Sequence, residues 1–260
     1  MNQKTDTAFV EMHKGHMTAY VRQEGAETIA DALCEHKECV PFDAVGRDTM
    51  LHFPWRDGRR GIMRSYRRGG LAGRFLKEGF FLCNRPLREF HTHQQVAARG
   101  IPAPLLLGVC WKRRGPFFYG ALATELMAGS DLDTWLCSRQ QDAAAVRPLL
   151  QRCGASIRHM HDKGVVHADL QVKNIFVGDE GPCLLDFDRA QTTGNVRPLA
   201  RMCNLLRLRR SFEKRGHPMQ YWHWLLEGYG NVTFPAWLRG AYRVKAMVSD
   251  MIQGRRTMQV

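Results

Sequence analysis

Between Asp142 and Gly164, apolar residues recur at helical spacing. Val146, Leu149, Leu150, Cys153, Ile157 and Met160 share one face, so the pattern predicts a helix that stops at Gly164, a natural C-terminal cap. A second helical pattern runs from Leu87 to Arg99, with Phe90, Gln94, Ala97 and Ala98, and closes at Gly100. "ETIADALCEH" predicts a short amphipathic helix, and "DLDTWLCSR" another with Asp131 as its N-cap. "DTMLHFPWRDGRRGIMRSYR" predicts a β-hairpin that turns at Asp57-Gly58. "IPAPLLLGVCW" and "FFYGALATELM" predict two strands joined by the polar turn "KRRGP". Elsewhere in the first 60 residues the pattern is mixed and resolves into no element.

This order divides the chain into a strand-rich part, residues 1–127, and a mainly helical part, residues 128–260, with "AGSD" as a linker near residue 128. The fold class read from it is α+β. Two lobes with a ligand cleft between them follow as an expectation.

Charge narrows the partners. The 260 residues hold 38 Lys and Arg against 25 Asp and Glu, a formal charge of +13. Such a balance favours anionic partners: a nucleotide, a nucleic acid or an anionic lipid surface. No apolar run reaches the ~18 residues of a membrane span. The N-terminus lacks the long apolar core of a secretion signal, so the expected location is the cytosol. Eight cysteines are scattered without a C-x-x-C pair, which makes zinc or a redox dithiol unexpected and reduced thiols the expectation.

The chemistry concentrates in "VVHADLQVKNIFVGDEGPCLLDFDRA", residues 165–190. Phosphoryl transfer asks a protein to orient a nucleophile, hold phosphates and offset charge with Mg²⁺. Asp169 suits the first task, as the group that orients and deprotonates a hydroxyl. Asn174 and Asp186 supply the oxygen ligands that Mg²⁺ prefers. "NIFV" and "CLLDF" read as paired strands around the tight turn "GDEGP", which brings Asn174 and Asp186 together. His167 reads equally as a backbone-fixing residue or a chemical one, and is assigned no catalytic role. A nucleic-acid-binding protein would explain the charge but not this spacing.

The whole run resembles the catalytic core of the lipopolysaccharide kinase family, a bacterial branch of the protein-kinase-like fold. Its ending is part of the likeness, since protein kinases carry Asp-Phe-Gly where this chain and that family carry Asp-Phe-Asp. "MRSYRRGGLAGRF", "REFHTHQQVAARGIPAP" and "NLLRLRRSFEK" extend the resemblance over residues 50–215. It implies a bilobal fold, with an N-terminal antiparallel sheet lobe that carries one main helix and binds nucleotide, and a mainly helical catalytic lobe. It implies ATP-dependent phosphorylation of the 3-deoxy-D-manno-octulosonic acid (Kdo) sugar on an anionic lipid A precursor. The work would be done peripherally, at the cytoplasmic face of the bacterial inner membrane, without nucleic acid. Other acceptors, such as a core heptose, and a non-catalytic kinase-like binding protein remain open, as does the oligomeric state.

Roles carry over residue by residue. Asp169 matches the general base, and Asn174 and Asp186 match the metal ligands. Arg64 stands where a phosphate-holding Lys is usual, with Glu89 as its helix partner. Lys77 is the competing cation, and a strand-edge charge and an exposed carboxylate paired to Arg85 or Arg88 are the bland alternatives for Arg64 and Glu89. Backbone atoms of Glu125 to Met127 match the adenine-binding hinge. Gly69, Gly70 and Gly73, beside Arg67 and Arg68, come after the Arg64 strand, so they read as an acceptor-side turn or a plain loop; Gly46 precedes that strand. Six cations in residues 201–215 read as a solvated helix face or as contacts to the anionic acceptor. "YWHWLLEGYG" suits a membrane interface or core packing. Asp188 replaces a glycine that would accept positive φ, and is expected to stiffen the turn there.

Overall fold

The computed structural model describes residues 9–42, 50–65, 80–81, 83–139, 142–230, 232–238, 240–242 and 244, with the backbone alone at 80–81. It divides into two compact units, Met1–Ala128 and Gly129–Val260.

The first unit is an antiparallel sheet with a helix on each face. Its elements are β1 (Phe9–Lys14), β2 (Met17–Arg22), α1 (Ala26–Glu35), β3 (Val40–Phe42), β4 (Met50–Arg56), β5 (Arg59–Ser65), β6 (Phe80–Phe81), α2 (Arg85–Ala98), β7 (Leu106–Arg114) and β8 (Phe117–Glu125). The strands run in the order β1-β2-β7-β8-β5-β4-β3, with β6 also paired to β8. The β4–β5 hairpin turns at Asp57 (φ 44°) and Gly58 (φ 75°), two successive left-handed residues of the kind a type I′ turn requires.

Alternation along β7 and β8 decides which helix covers which face. Leu106, Val109 and Leu122 pack with Phe90 of α2, whereas Leu107, Cys110, Ala121 and Ala123 pack with Ile29 and Leu33 of α1. Leu106 and Val109 share a face although three residues apart, because the β7–β8 register shifts between Leu106 and Gly108. Among the described residues the sheet therefore carries the expected main helix, α2, on one face and the expected short helix, α1, on the other. α2 starts where Asn84 accepts a hydrogen bond from the Leu87 N–H at 3.2 Å, with Pro86 in its first turn.

The second unit contains β9 (Gly129–Asp131), α3 (Leu132–Ser138), α4 (Ala143–Asp162), β10 (Val165–Val166), a 3-10 turn (Val172–Asn174), β11 (Ile175–Gly178), β12 (Gly181–Leu184), β13 (Gln191–Thr192), α5 (Pro198–Lys214) and α6 (Met219–Tyr229). The expected linker "AGSD" is mostly β9, which pairs with β11. Gly129 (φ 133°) is required there, since a Cβ would strike the Val177 carbonyl. Asp131 caps α3 through the Thr134 N–H at 3.0 Å.

On α4, Val146, Leu149, Leu150, Cys153, Ile157 and Met160 are all buried. α4 and α6 approach closely where Gly154 faces the Leu225 carbonyl and Gly228 faces the Gln151 carbonyl, with no room for a Cβ at either. Tyr221, Trp222, Trp224 and Tyr229 of α6 are buried, so this aromatic segment is core. Among the described residues, no helix is long and apolar enough to cross a membrane.

Candidate active site

The loop after β10 hangs on an uncharged hydrogen-bond network. The Asp169 N–H donates to His167 Nδ1 at 3.1 Å, which makes Nδ1 an acceptor, and Nε2–H donates to the Leu185 carbonyl at 2.7 Å. His167 is therefore neutral, and its burial pushes its pKa down. The Asn204 amide N–H donates to the His167 carbonyl at 2.6 Å, and the Asn204 amide oxygen accepts from His161 Nε2–H at 3.0 Å. His161 Nδ1 accepts from the Tyr229 hydroxyl at 2.9 Å. Burial pushes the His161 pKa down to about 4, so this ring also stays uncharged near neutral pH. Ser211 Oγ accepts the Val172 N–H at 3.1 Å, tying the 3-10 turn to the same helix that carries Asn204.

Asp169 itself faces outward, with its side chain 56% exposed. Oδ1 accepts from Gln171 Nε2 at 2.6 Å, and Arg207 Nη1 lies 3.8 Å from the same oxygen. Among the described residues, no hydrogen bond reaches Oδ2. Asn174 Nδ2 donates to the Asp169 carbonyl at 2.7 Å, and this bond turns its amide oxygen toward other partners. The Asn174 carbonyl accepts the Leu185 N–H at 2.9 Å, and Ile175 pairs with Leu184, so the hairpin brings Asn174 and Asp186 close. Their amide and carboxylate oxygens form the hard donor set that fits Mg²⁺.

The strained residue of the Asp-Phe-Asp turn is not the one expected. Asp186 takes φ 62°, a left-handed conformation, whereas Asp188 does not have positive φ. Phe187 explains the placement. It is fully buried, with its ring 5.4 Å from that of His167. To sink Phe187 next to the loop, the chain reverses at the preceding residue.

In the first unit, Arg64 and Glu89 form an ion pair at 2.8 Å, with Glu89 2% exposed and Arg64 30% exposed. Arg64 is not an edge charge, since β5 lies between β4 and β8, with Arg64 opposite Met50 and Leu122. Glu89 is not an exposed helix carboxylate. Lys77, the glycines and arginines of residues 67–73, and Gly46 lie outside the described residues.

The hinge expectation narrows. The Glu125 N–H donates to the Leu105 carbonyl and the Leu126 N–H to the Arg60 carbonyl, both at 2.8 Å, so neither amide is a donor for adenine. The Glu125 carboxylate is held by Arg59, with Nη2 at 2.6 Å.

The pattern reading missed His161, Asn204 and Gln171 as parts of this site, and had Arg207 only as one of six cations facing a solvated surface or the anionic acceptor. Asn204, the first residue of the polar-then-apolar run "NLL" on α5, was the available signal, since a polar side chain on a buried helix face needs a partner.

Comparison with known proteins agrees on the family. The description "Lipopolysaccharide kinase (Kdo/WaaP) family" matches residues 44–229. The chain is 33% identical over 172 residues to a 3-deoxy-D-manno-octulosonic acid kinase of Vibrio vulnificus, covering 62% of this chain and 69% of the relative. It is 32% identical over 161 residues to one of Xylella fastidiosa, covering 59% and 61% respectively, so that match spans less than two thirds of the relative. Another, from Vibrio parahaemolyticus, is 30% identical over 201 residues, covering 75% and 81%. Among solved structures, "WaaP in complex with acyl carrier protein" superposes with a TM-score of 0.53 at 17% identity, over 88% of this chain and 90% of that one. That likeness shows a shared kinase-like fold. With its own α+β architecture in place, the chain belongs to the lipopolysaccharide kinase (Kdo/WaaP) family.

Proposed function

We propose that this protein transfers the γ-phosphoryl group of ATP to a hydroxyl of the Kdo sugar on a lipid A precursor. The observation that carries the reading is the Asp169 loop, in which an exposed carboxylate is held by bonds that leave Oδ2 open among the described residues. In the proposed step, Oδ2 accepts the proton of the acceptor hydroxyl. The hydroxyl oxygen bonds to the γ-phosphorus, the bond to the β–γ bridging oxygen breaks, and ADP leaves with that electron pair. Asn174 Oδ1 and the Asp186 carboxylate would hold Mg²⁺, which offsets phosphate charge when bound. In the first unit, Arg64, oriented by Glu89, is assigned to the ATP phosphates. The carbonyls of Glu125 to Met127 are assigned to the adenine edge.

The acceptor assignment follows from the relatives' printed names and from the basic balance of the chain. Exposed Trp237 and Val244, 64% and 61% accessible, support peripheral contact with the inner membrane at its cytoplasmic face. The test is incubation with ATP, Mg²⁺ and Kdo-bearing lipid IV(A), with the product mapped by mass spectrometry. Phosphate on Kdo is expected. Phosphate on a core heptose but not on Kdo would reject the acceptor. No transfer together with no ATP binding would leave a kinase-like binding protein.

A further inference from the structure

The basic segment of α5 is not uniform, and its geometry sets Arg207 apart from Arg201, Arg209 and Arg215. Arg201 is paired with Asp162 and donates to the His161 carbonyl at 3.3 Å. Arg209 is spent on Glu213 at 2.9 Å, one helical turn away. Arg215 is spent on Asp133, also at 2.9 Å. Arg207 differs, because its carboxylate neighbour among the described residues is Asp169, at 3.8 Å. That is too long for a hydrogen bond, and the same Asp169 oxygen is already taken by Gln171 at 2.6 Å. Burial raises the Tyr242 pKa overall, although Tyr242 lies close enough to feel the charges of Arg207 and Arg210.

We propose that Arg207 is a docking point for the carboxylate of the acceptor sugar. The inference rests on the sugar-kinase reading above and names how that acceptor is held. A guanidinium presents a planar fork of donors that matches a carboxylate in bidentate fashion, which an ammonium does not. Its distance to the base sets the range. An anion on Arg207 lies within a few ångströms of the proton that Asp169 removes. In a sugar acid the carboxylate and a ring hydroxyl are separated by a few carbon–carbon bonds, so one residue of such a sugar spans both points. Arg207 is 42% exposed, so an incoming anion reaches it without unfolding the helix.

Steady-state kinetics on the Kdo-bearing acceptor, as free acid and as its methyl ester, test the proposal. Arg207→Ala is expected to raise the acceptor KM about 10- to 100-fold, the range of a charge-assisted hydrogen bond, and to leave the ATP KM within about twofold. Arg207→Lys is expected to restore part of the loss. Arg209→Ala, on the same helix but paired with Glu213, is the control and should behave as wild type. On the methyl ester, wild type should fall to the level of Arg207→Ala, and the variant should lose nothing more. A rise in ATP KM would assign Arg207 to the nucleotide and overturn the proposal. Equal losses on acid and ester, or equal losses for Arg209→Ala, would overturn it too. If wild type phosphorylates neither acid nor ester, the sugar-kinase reading fails first, a result distinct from these.

Discussion

The two units hold their site charges by opposite means. In the first, Glu89 is buried and answered by a guanidinium at 2.8 Å, so charge is fixed by charge. In the second, Asp169 is 56% exposed, and its loop is fixed by neutral histidines, an asparagine and backbone bonds. The difference matches the tasks assigned to them. A group that holds a polyanion works from a constant charge, and a buried pair is costly to break. A group that takes a proton must change charge during the cycle, and a scaffold without charge does not oppose that change. The sharpest break in this comparison is Asp169→Asn. It should cut kcat by about a thousandfold, within the range for loss of a general base, with ATP binding and thermal stability nearly unchanged. Retained activity would remove Asp169 as the base, and a collapse of stability would show the loop to be built on its charge.

The buried pair should fail in the other way. Arg64→Met takes the guanidinium away from the buried Glu89 carboxylate, at a cost of up to about 3 kcal/mol of stability. Glu89→Gln should cost less, and the double variant Arg64→Met/Glu89→Gln less than Arg64→Met alone, because no buried charge is left. Each should raise the ATP KM. Denaturant titration of the four proteins closes the cycle. Additive losses would mean that the pair is not coupled and that Glu89 is satisfied elsewhere.

The same contrast explains what could be read from the chain. The Asp169–Asp186 hairpin is local, so its strands, turn and polar spacing all lie within residues 165–190. The α4 core face was legible because one helix carries its whole period. The hairpin β1–β2 was not. β2 is held by β7, with Val21 opposite Gly108, and nothing near Val21 announces a partner nearly 90 positions away. Likewise, the six cations of residues 201–215 were visible as a group. That Arg201 and Arg215 are paired and that Arg207 faces Asp169 depends on Asp162, Asp133 and Asp169, which reach this segment only through tertiary packing.

Acidification probes the neutral scaffold directly. His161 has its pKa pushed down from 6.5 to about 4, because burial penalises the charged ring. The unfolded chain therefore takes up a proton below about 6.5 that the folded protein refuses until about 4. The stability that this residue contributes is fully present above pH 6.5 and is lost as pH falls through that window, by roughly 3 kcal/mol. Unfolding midpoints measured between pH 7.5 and pH 4.5 should fall less steeply for His161→Gln than for wild type. Parallel slopes would mean that the ring is charged in the folded state.

The smallest effect bears on the turn that ends the loop. If the Asp-for-Gly exchange at 188 strained the backbone, Asp188→Gly would stabilise the protein. The structure places the left-handed residue at Asp186 instead, and Asp188 is 7% exposed, with its N–H 3.4 Å from Asp186 Oδ1. Glycine at 188 relieves nothing and loosens the unfolded chain, at about 0.5–1 kcal/mol. A fall in Tm of about 1–4 °C is expected for a chain of this size, with activity largely kept. A rise in Tm would return the strain to Asp188. Asp186→Gly tests the other half of the argument, because it accepts the left-handed conformation yet removes a proposed Mg²⁺ ligand. Its stability should hold near wild type while activity is lost, which would separate the residue's backbone role from its chemistry.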